Sequence, residues 1–252
     1  MQCVFIKNIK SLLKNGIVRD DGEIRSLQTI LSTHSSHIVS ESDFEDIKYF
    51  KRENGGITSK NLKDLEKEYE RYEQNYKFLK QYLTLHRSEL FFADKAIFIE
   101  GDTERVLLPA IMKKLDQEDF TAEFEADTPH LLPLLSQNIS IIEVGAYSQI
   151  FEKFIDFIGT KSLIITDIDS VKIVPDTDDT GAVKKNSDGK DKTKREKCLV
   201  SKGSHTSNTS LQFFYGKEMA LPDFIALAQE QRLLKKDPAS KNWIHDTGGY
   251  LL

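Results

Sequence analysis

The chain has 252 residues, is 39% apolar and 30% charged, and carries a formal net charge of −5. That length allows one good core, or one domain with an appendage. The negative balance excludes a protein that coats nucleic acid with a broad basic face, but not one with an acidic centre and local basic loops. No apolar stretch reaches the length of a membrane span, and Lys7, Lys10 and Lys14 leave no signal-peptide pattern. Cys3 and Cys198 match no metal spacing, so a reducing, cytoplasmic setting is expected.

In chain order, Phe5, Ile6, Ile9, Leu12 and Leu13 recur at helical spacing. After the turn signals Asn15-Gly16 and Asp21-Gly22, residues 27–32 read as a short strand that ends in Thr33-His34-Ser35. From Leu62, an apolar seam of Leu62, Leu65, Tyr69, Tyr72, Tyr76, Leu79 and Leu83 alternates steps of three and four. It reads either as one arm of a helical hairpin or a connecting helix lying on a neighbour, or as a dimer-forming coiled coil. Three tyrosines and a run of few heptads favour the first.

An alternation of strand and helix follows. A strand at 95–100 leads to a helix at 103–116, whose Val106, Leu107, Ala110, Ile111 and Leu115 are expected to face a sheet. The strand 139–144, a helix near 147–158 and the strand 162–168 complete a β-α-β-α-β order, with Gly145 and Gly159 at the turns. That order implies a parallel sheet with right-handed crossovers. Residues 171–203 break the pattern. An acidic stretch, 175–179, precedes seven Lys/Arg against three acids between Lys184 and Lys197. This reads as a mobile insertion. Most such runs are solvated loops, but a place beside acids raises the prospect of phosphate-backbone contact.

Two acidic clusters carry the chemistry. Glu100 ends the apolar run 96–99, where no capping need explains a glutamate. Asp102 reads as a helix cap, and Glu104 falls in the first turn, where the helix dipole favours negative charge. Asp167 and Asp169 close the later strand and, two residues apart, are expected to share a face. Parallel strand ends lie side by side, so these acids can converge. Gathered carboxylates repel unless a cation sits between them, and oxygen-only ligands suit Mg²⁺ or Mn²⁺. With two cations about 4 Å apart, Glu100 is expected to be a ligand and the base for an attacking water, with Asp167 and Asp169 holding the metals.

Ile99-Glu100-Gly101 with Glu104, followed by Ile165-Thr166-Asp167-Ile168-Asp169, resembles the TOPRIM domain of type II topoisomerases, DnaG-type primases and OLD (overcoming lysogenization defect) nucleases. The wording of residues 91–104, Ile142-Glu143-Val144-Gly145-Ala146 and Thr206-Ser207-Asn208 is closest to the OLD type. The likeness covers about residues 90–215. It implies an α/β fold: a Rossmann-like parallel sheet flanked by helices, preceded by a helical connector and the tail of an ABC-type ATPase domain. The expected divisions are 1–50 for the ATPase tail, 51–92 for the connector and 93–252 for the TOPRIM domain, cut short at its C-terminus. The resemblance further implies a Mg²⁺- or Mn²⁺-dependent DNA endonuclease of phage defence or DNA repair, working as a homodimer. Its catalytic residues would be Glu100, Glu104, Asp167 and Asp169, with metals on Glu100, Asp167 and Asp169.

Thr29–Ser35 resembles the last strand and switch histidine of an ABC ATPase, so His34 would sense a γ-phosphate once a complete ATPase domain is present. The chain departs from the family in having no Gly-x-x-x-x-Gly-Lys-Ser/Thr loop and no acidic strand before His34. ATP would therefore act only through a portion preceding Met1. A basic catalytic residue is left open among Lys202, Lys217 and Lys241. Two alternatives stand beside the nuclease reading: a catalytically incomplete fragment serving as an interaction module, and another TOPRIM-type DNA-processing protein. The second ranks last, because no tyrosine-bearing cleavage domain or primase zinc motif is present.

Overall fold

The computed structural model describes residues 8–9, 11, 17–18, 24–25, 28–53, 55–85, 87–126, 132–237, 239, 243–245 and 250–251. They form two compact units: Met1–Ala96 with Gln137–Ser140 and Ile150–Thr160, and Ile97–Ser136 with Ile141–Gln149 and Lys161–Leu252.

In the first unit, strands β1 (Ile17–Val18) and β2 (Ile24–Arg25) pair antiparallel. Of the expected opening helix, residues 8, 9 and 11 are helical, while Phe5, Ile6, Leu12 and Leu13 lie outside the described residues. The strand expected at 27–32 does not form at residues 28–32, and Ile30 is 88% exposed. A strand needs a neighbour for its backbone groups, and no described strand pairs with this segment. His34 is exposed, just ahead of helix α1 (Ser36–Ser40). An unforeseen hairpin follows, β3 (Lys48–Glu53) with β4 (Gly56–Asn61), in register from Lys48↔Asn61 to Glu53↔Gly56. Its turn signal was in the sequence as Asn54-Gly55. Residues 51–61, expected within the helical connector, are therefore largely strand, and helix starts at Leu62.

The tyrosine seam is helical but broken. Helix α2 (Leu65–Glu68) stops, the chain turns through 69–72, and α3 (Glu73–Leu85) resumes. Leu62, Leu65, Tyr69, Tyr76, Leu79 and Leu83 are buried, and Tyr72 at the break is exposed. The seam closes within its own unit, against α5 (Glu152–Ile158) and the turn before it. Phe151 meets Tyr82 edge-on at 5.3 Å, Phe91 meets Phe154 at 5.6 Å, and the Tyr69 hydroxyl donates to the Ile150 carbonyl at 2.6 Å. The reading of a helix lying on a neighbour holds. Tyr76 differs from Tyr69, because its buried hydroxyl has no hydrogen-bond partner among the described residues. Tyr69→Phe is expected to lower stability by about 1 kcal/mol and Tyr76→Phe to raise it by about 1 kcal/mol, opposite signs that denaturant melts can read.

The second unit holds most of the main sheet. Strands β5 (Lys95–Ile99), β6 (Ile139–Glu143) and β7 (Lys161–Ile164) come first in the chain, and the first two residues of β5 and of β6 count with the other unit. Strands β8 (Ser170–Pro175), β9 (Thr193–Lys197) and β10 (His205–Thr206) form a separate antiparallel sheet, ordered β10-β8-β9. Strands β11 (Leu233–Lys236), β12 (Trp243–His245) and β13 (Tyr250–Leu251) extend the first sheet to the order β12-β11-β13-β7-β5-β6. Its parallel core is the expected one: Val144 N–H donates to Ile99 O at 2.9 Å and Ile165 N–H to Phe98 O at 2.8 Å, joining the C-terminal ends of β6, β5 and β7. Beside it β13 runs parallel to β7, and β11 antiparallel to β13 and β12.

Helix α4 (Asp102–Ala126) turns a different face inward from the one its apolar stripe suggested. Val106, Leu107, Ala110, Ile111 and Leu115 are exposed, and the row Glu104, Leu108, Met112 and Asp116 is sheltered instead. Polar ties decide this. Asp116 accepts from Leu134 N–H at 2.6 Å and Leu135 N–H at 3.2 Å, while Glu104 accepts from Gly101 N–H at 3.0 Å. No helix among the described residues is long and apolar enough to cross a membrane.

Residues 170–197 form an ordered arm where a mobile loop was expected. Strands β8 and β9 pair from Val171↔Lys197 to Pro175↔Thr193. Beyond them three backbone bonds close a ring: Asp176 N–H to Lys192 O at 2.8 Å, Lys184 N–H to Asp176 O at 2.8 Å, and Lys192 N–H to Lys184 O at 2.7 Å. The Asp176 carboxylate binds Lys184 at 3.3 Å and Lys192 at 3.5 Å. Against partial burial, which pulls the other way, those two ammonium groups hold its carboxyl below the usual value. Two small turns project from the ring. Asp178 accepts from the N–H groups of Thr180 and Ala182, and Asn186 from those of Asp188 and Lys190. Gly181 and Gly189 supply the positive φ of 86° and 74° that these turns need. The signal was a repeat of eight residues, Asp178-x-x-Gly181 and Asn186-x-x-Gly189, which the charge count hid.

Candidate functional site

The acids lie where the parallel strands end. Phe98 and Ile99 are fully buried in β5, and Glu100, the next residue, emerges half-buried. Gly101 immediately precedes α4, with Glu104 reaching back to its N–H in one half of a capping box. Asp102 is not the cap expected of it. It lies inside the first turn, 77% exposed, and pairs with Arg105. Arg105 also stands 4.0 Å from Glu143 at the end of β6.

Asp167 and Asp169 are not on a strand. Strand β7 ends at Ile164, and residues 165–169 form a loop in which Asp169 takes φ 44°. The shared-face expectation from strand alternation therefore fails. The loop instead sets Asp167 beside Glu100, its N–H donating to Glu100 Oε1 at 3.2 Å. Burial foremost, then the carboxylates of Glu100, Glu104 and Asp169, pushes the Asp167 carboxyl above its ordinary value. The three other acids singled out in the sequence thus all act on Asp167.

A polar network that the sequence reading missed organises them. The Glu100 Oε1 atom accepts from the Thr166 hydroxyl, from Asp167 N–H at 3.2 Å and from Asn208 Nδ2 at 2.7 Å. Asn208 Nδ2 also donates to Thr166 Oγ1 at 2.8 Å. The loop is held from the same side, with Thr206 Oγ1 donating to Ile168 O and Ser207 N–H to Asp169 O at 2.9 Å. The Thr206-Ser207-Asn208 run was visible in the sequence, but not what it touches.

Hard divalent cations take carboxylate oxygens, and this donor set fits them in kind. Burial first, and then the like charges of Glu100, Glu104 and Asp169, disfavour the Asp167 charge, which a cation would offset. Among the described residues, however, no three acids, histidines or cysteines stand close enough to hold a metal as they are. One Glu100 oxygen is committed to Asn208, Thr166 and Asp167 N–H, and one Glu104 oxygen to Gly101 N–H. His34 belongs to the first unit.

Comparison with known proteins finds one family and two relatives. The family described as overcoming lysogenization defect protein-like, TOPRIM domain, matches residues 91–169, a span that contains Glu100, Glu104, Asp167 and Asp169. Endonuclease GajA of Bacillus cereus (strain HuB5-5) is 32% identical over 181 residues, covering 67% of this chain and 24% of that protein. The Old nuclease of Escherichia phage P2 is 25% identical over 229 residues, covering 89% of this chain and 36% of that protein. The chain thus spans only a minor part of either relative's length. No solved structure matches.

Proposed function

This chain belongs to the overcoming-lysogenization-defect family through its TOPRIM domain, and on that premise we propose that it is the DNA-cleaving part of an ATP-regulated endonuclease. The observation that carries the reading is the meeting of Glu100 with the Asp167–Asp169 loop where the parallel strands end, with Asp167 N–H donating to Glu100 Oε1 at 3.2 Å. Glu100, Asp167 and Asp169 would hold Mg²⁺ or Mn²⁺. An ion held there would supply Lewis-acid activation of a water and neutralisation of charge on the phosphodiester. The chain's own part is to orient Glu100, whose Oε2 is left for a ligand or a water while Oε1 takes three donors. Glu104 adds negative charge beside Asp167. ATP would act through an ATPase portion ahead of residues 1–50, with His34 as its γ-phosphate sensor.

Supercoiled plasmid incubated with the protein and Mn²⁺ or Mg²⁺ tests the reading: nicking that chelation abolishes is expected. No nicking with either ion would overturn it and favour a non-catalytic interaction module, a reading that draws on the open spacing of the acids.

The arm supports DNA as the substrate. It springs from Ser170, directly after the acid loop, and Lys185, Lys190, Lys194, Arg195 and Lys197 have no ion-pair partner among the described residues. Replacing Lys194, Arg195 and Lys197 together by Ala is expected to weaken duplex binding. The log–log salt slope should flatten by about one for each phosphate that no longer has a cation against it. Anisotropy titrations across NaCl concentrations would read this, and an unchanged affinity and slope would remove the arm from the DNA interface.

A further inference from the structure

We propose that Asn208 is the positioning residue of the acid site, fixing the Glu100 carboxylate and the Asp167–Asp169 loop in one arrangement; this rests on the reading of Glu100 as a functional group. Asn208 is 1% exposed and uses both ends of its amide. Its Oδ1 accepts from Ser210 N–H at 3.0 Å and Leu211 N–H at 3.2 Å, capping helix α6 (Thr209–Tyr215). Its Nδ2 donates to Glu100 Oε1 at 2.7 Å and Thr166 Oγ1 at 2.8 Å. The amide can point only one way, because a flip would set its oxygen against the carboxylate and its nitrogen against two N–H donors.

Capping alone does not call for this residue. A cap needs one acceptor, and serine, threonine or aspartate serves as well as asparagine. The donor end has no part in the cap and is spent entirely on Glu100 and Thr166. Hydrogen bonds to an ionised oxygen are strong and directional, so they set which Glu100 oxygen is engaged and which is left. The backbone of the same residue completes the tie: Asn208 N–H donates to Thr206 Oγ1 at 3.0 Å, and that hydroxyl donates to Ile168 O, between the two aspartates. One buried side chain and its neighbours thus hold the strand-end glutamate and the aspartate loop together.

The test compares Asn208→Ser, Thr166→Val and Glu100→Gln with the parent protein. Thermal melting, Mn²⁺ binding followed by the electron paramagnetic resonance of the free ion, and plasmid nicking are read on each. Serine keeps the cap but cannot reach Glu100, so Asn208→Ser is expected to melt close to the parent while Mn²⁺ binding and nicking fall about 10- to 100-fold. Thr166→Val leaves the cap untouched and is expected to shift both in the same direction; it decides the matter if Asn208→Ser does not fold. Parent-like Mn²⁺ binding and nicking in Thr166→Val and in a folded Asn208→Ser would overturn the proposal and leave Asn208 a cap. If Glu100→Gln also behaves as the parent, the reading of Glu100 fails as well; if it alone loses both, only the positioning role fails.

Discussion

Glu100→Gln and Asp167→Asn are each expected to reduce metal-dependent plasmid nicking roughly 10²- to 10⁴-fold, the range a positioned acid–base group contributes. Both changes keep side-chain size and remove one charge, so loss of the fold is not the expected cause. For Asp167 the stability effect should run opposite to the activity effect. Its folded carboxyl is raised by burial first and then by Glu100, Glu104 and Asp169. Between the unfolded value of 3.8 and the raised folded value, the folded chain binds the proton more tightly. The stability this carboxyl contributes is therefore full below its unfolded value and is lost as pH rises through its folded value. At neutral pH and without divalent cations, Asp167→Asn is expected to melt above the parent, by a margin that shrinks as the pH is taken below 4. A variant melting below the parent at neutral pH would show that neither burial nor the neighbouring carboxylates penalise the Asp167 charge. Nicking that survives both substitutions would remove these acids from the reaction.

Gly203→Ala is expected to destabilise the protein by about 1–3 kcal/mol, the usual result of forcing an extra carbon into a packed site. A Cβ at Gly203 would overlap the Ser170 hydroxyl, stand 2.7 Å from Leu221 Cδ2 and lie 3.2 Å from Ser170 Cβ. Leu221, the first residue of helix α7 (Leu221–Ile225), is 1% exposed and has no room to withdraw. Ser170 opens β8, and Ser204, next to Gly203, donates its N–H to Val171 O at 3.0 Å and accepts from Leu221 N–H at 3.0 Å. The added methyl would thus push apart the root of the arm, two residues before β10 and five before Asn208. Calorimetry should show the lower Tm. An unchanged Tm would mean that this crossing is looser than its geometry indicates.

These two predictions depend on different kinds of information. Strand–helix alternation over residues 95–168 dictated parallel strands, and parallel strands put Glu100 and the aspartates at one end of the sheet. The spacing of Leu62 to Leu83 likewise dictated a face to bury. Local periodicity encodes such choices, because an apolar residue must leave water wherever it goes. It does not name the partner. The exposed stripe of α4 looked the more apolar, yet hydrogen bonds from Gly101 and from Leu134 and Leu135 turned Glu104, Leu108, Met112 and Asp116 inward. Asp167 and Asp169 were expected on a strand because the apolar run continued, but β7 ends at Ile164, and Asp169 takes a positive φ that no strand allows.

What the amino-acid sequence determined by itself is the list of acids and the end of the sheet to which they belong. Only the tertiary structure decided how they are held. Asn208 stands 108 residues from Glu100 in the chain, and a hydrogen bond of 2.7 Å between them has no local signature. Such a bond exists only once the return strand β10 has been laid against β8, and the order of residues along the chain carries no record of that approach.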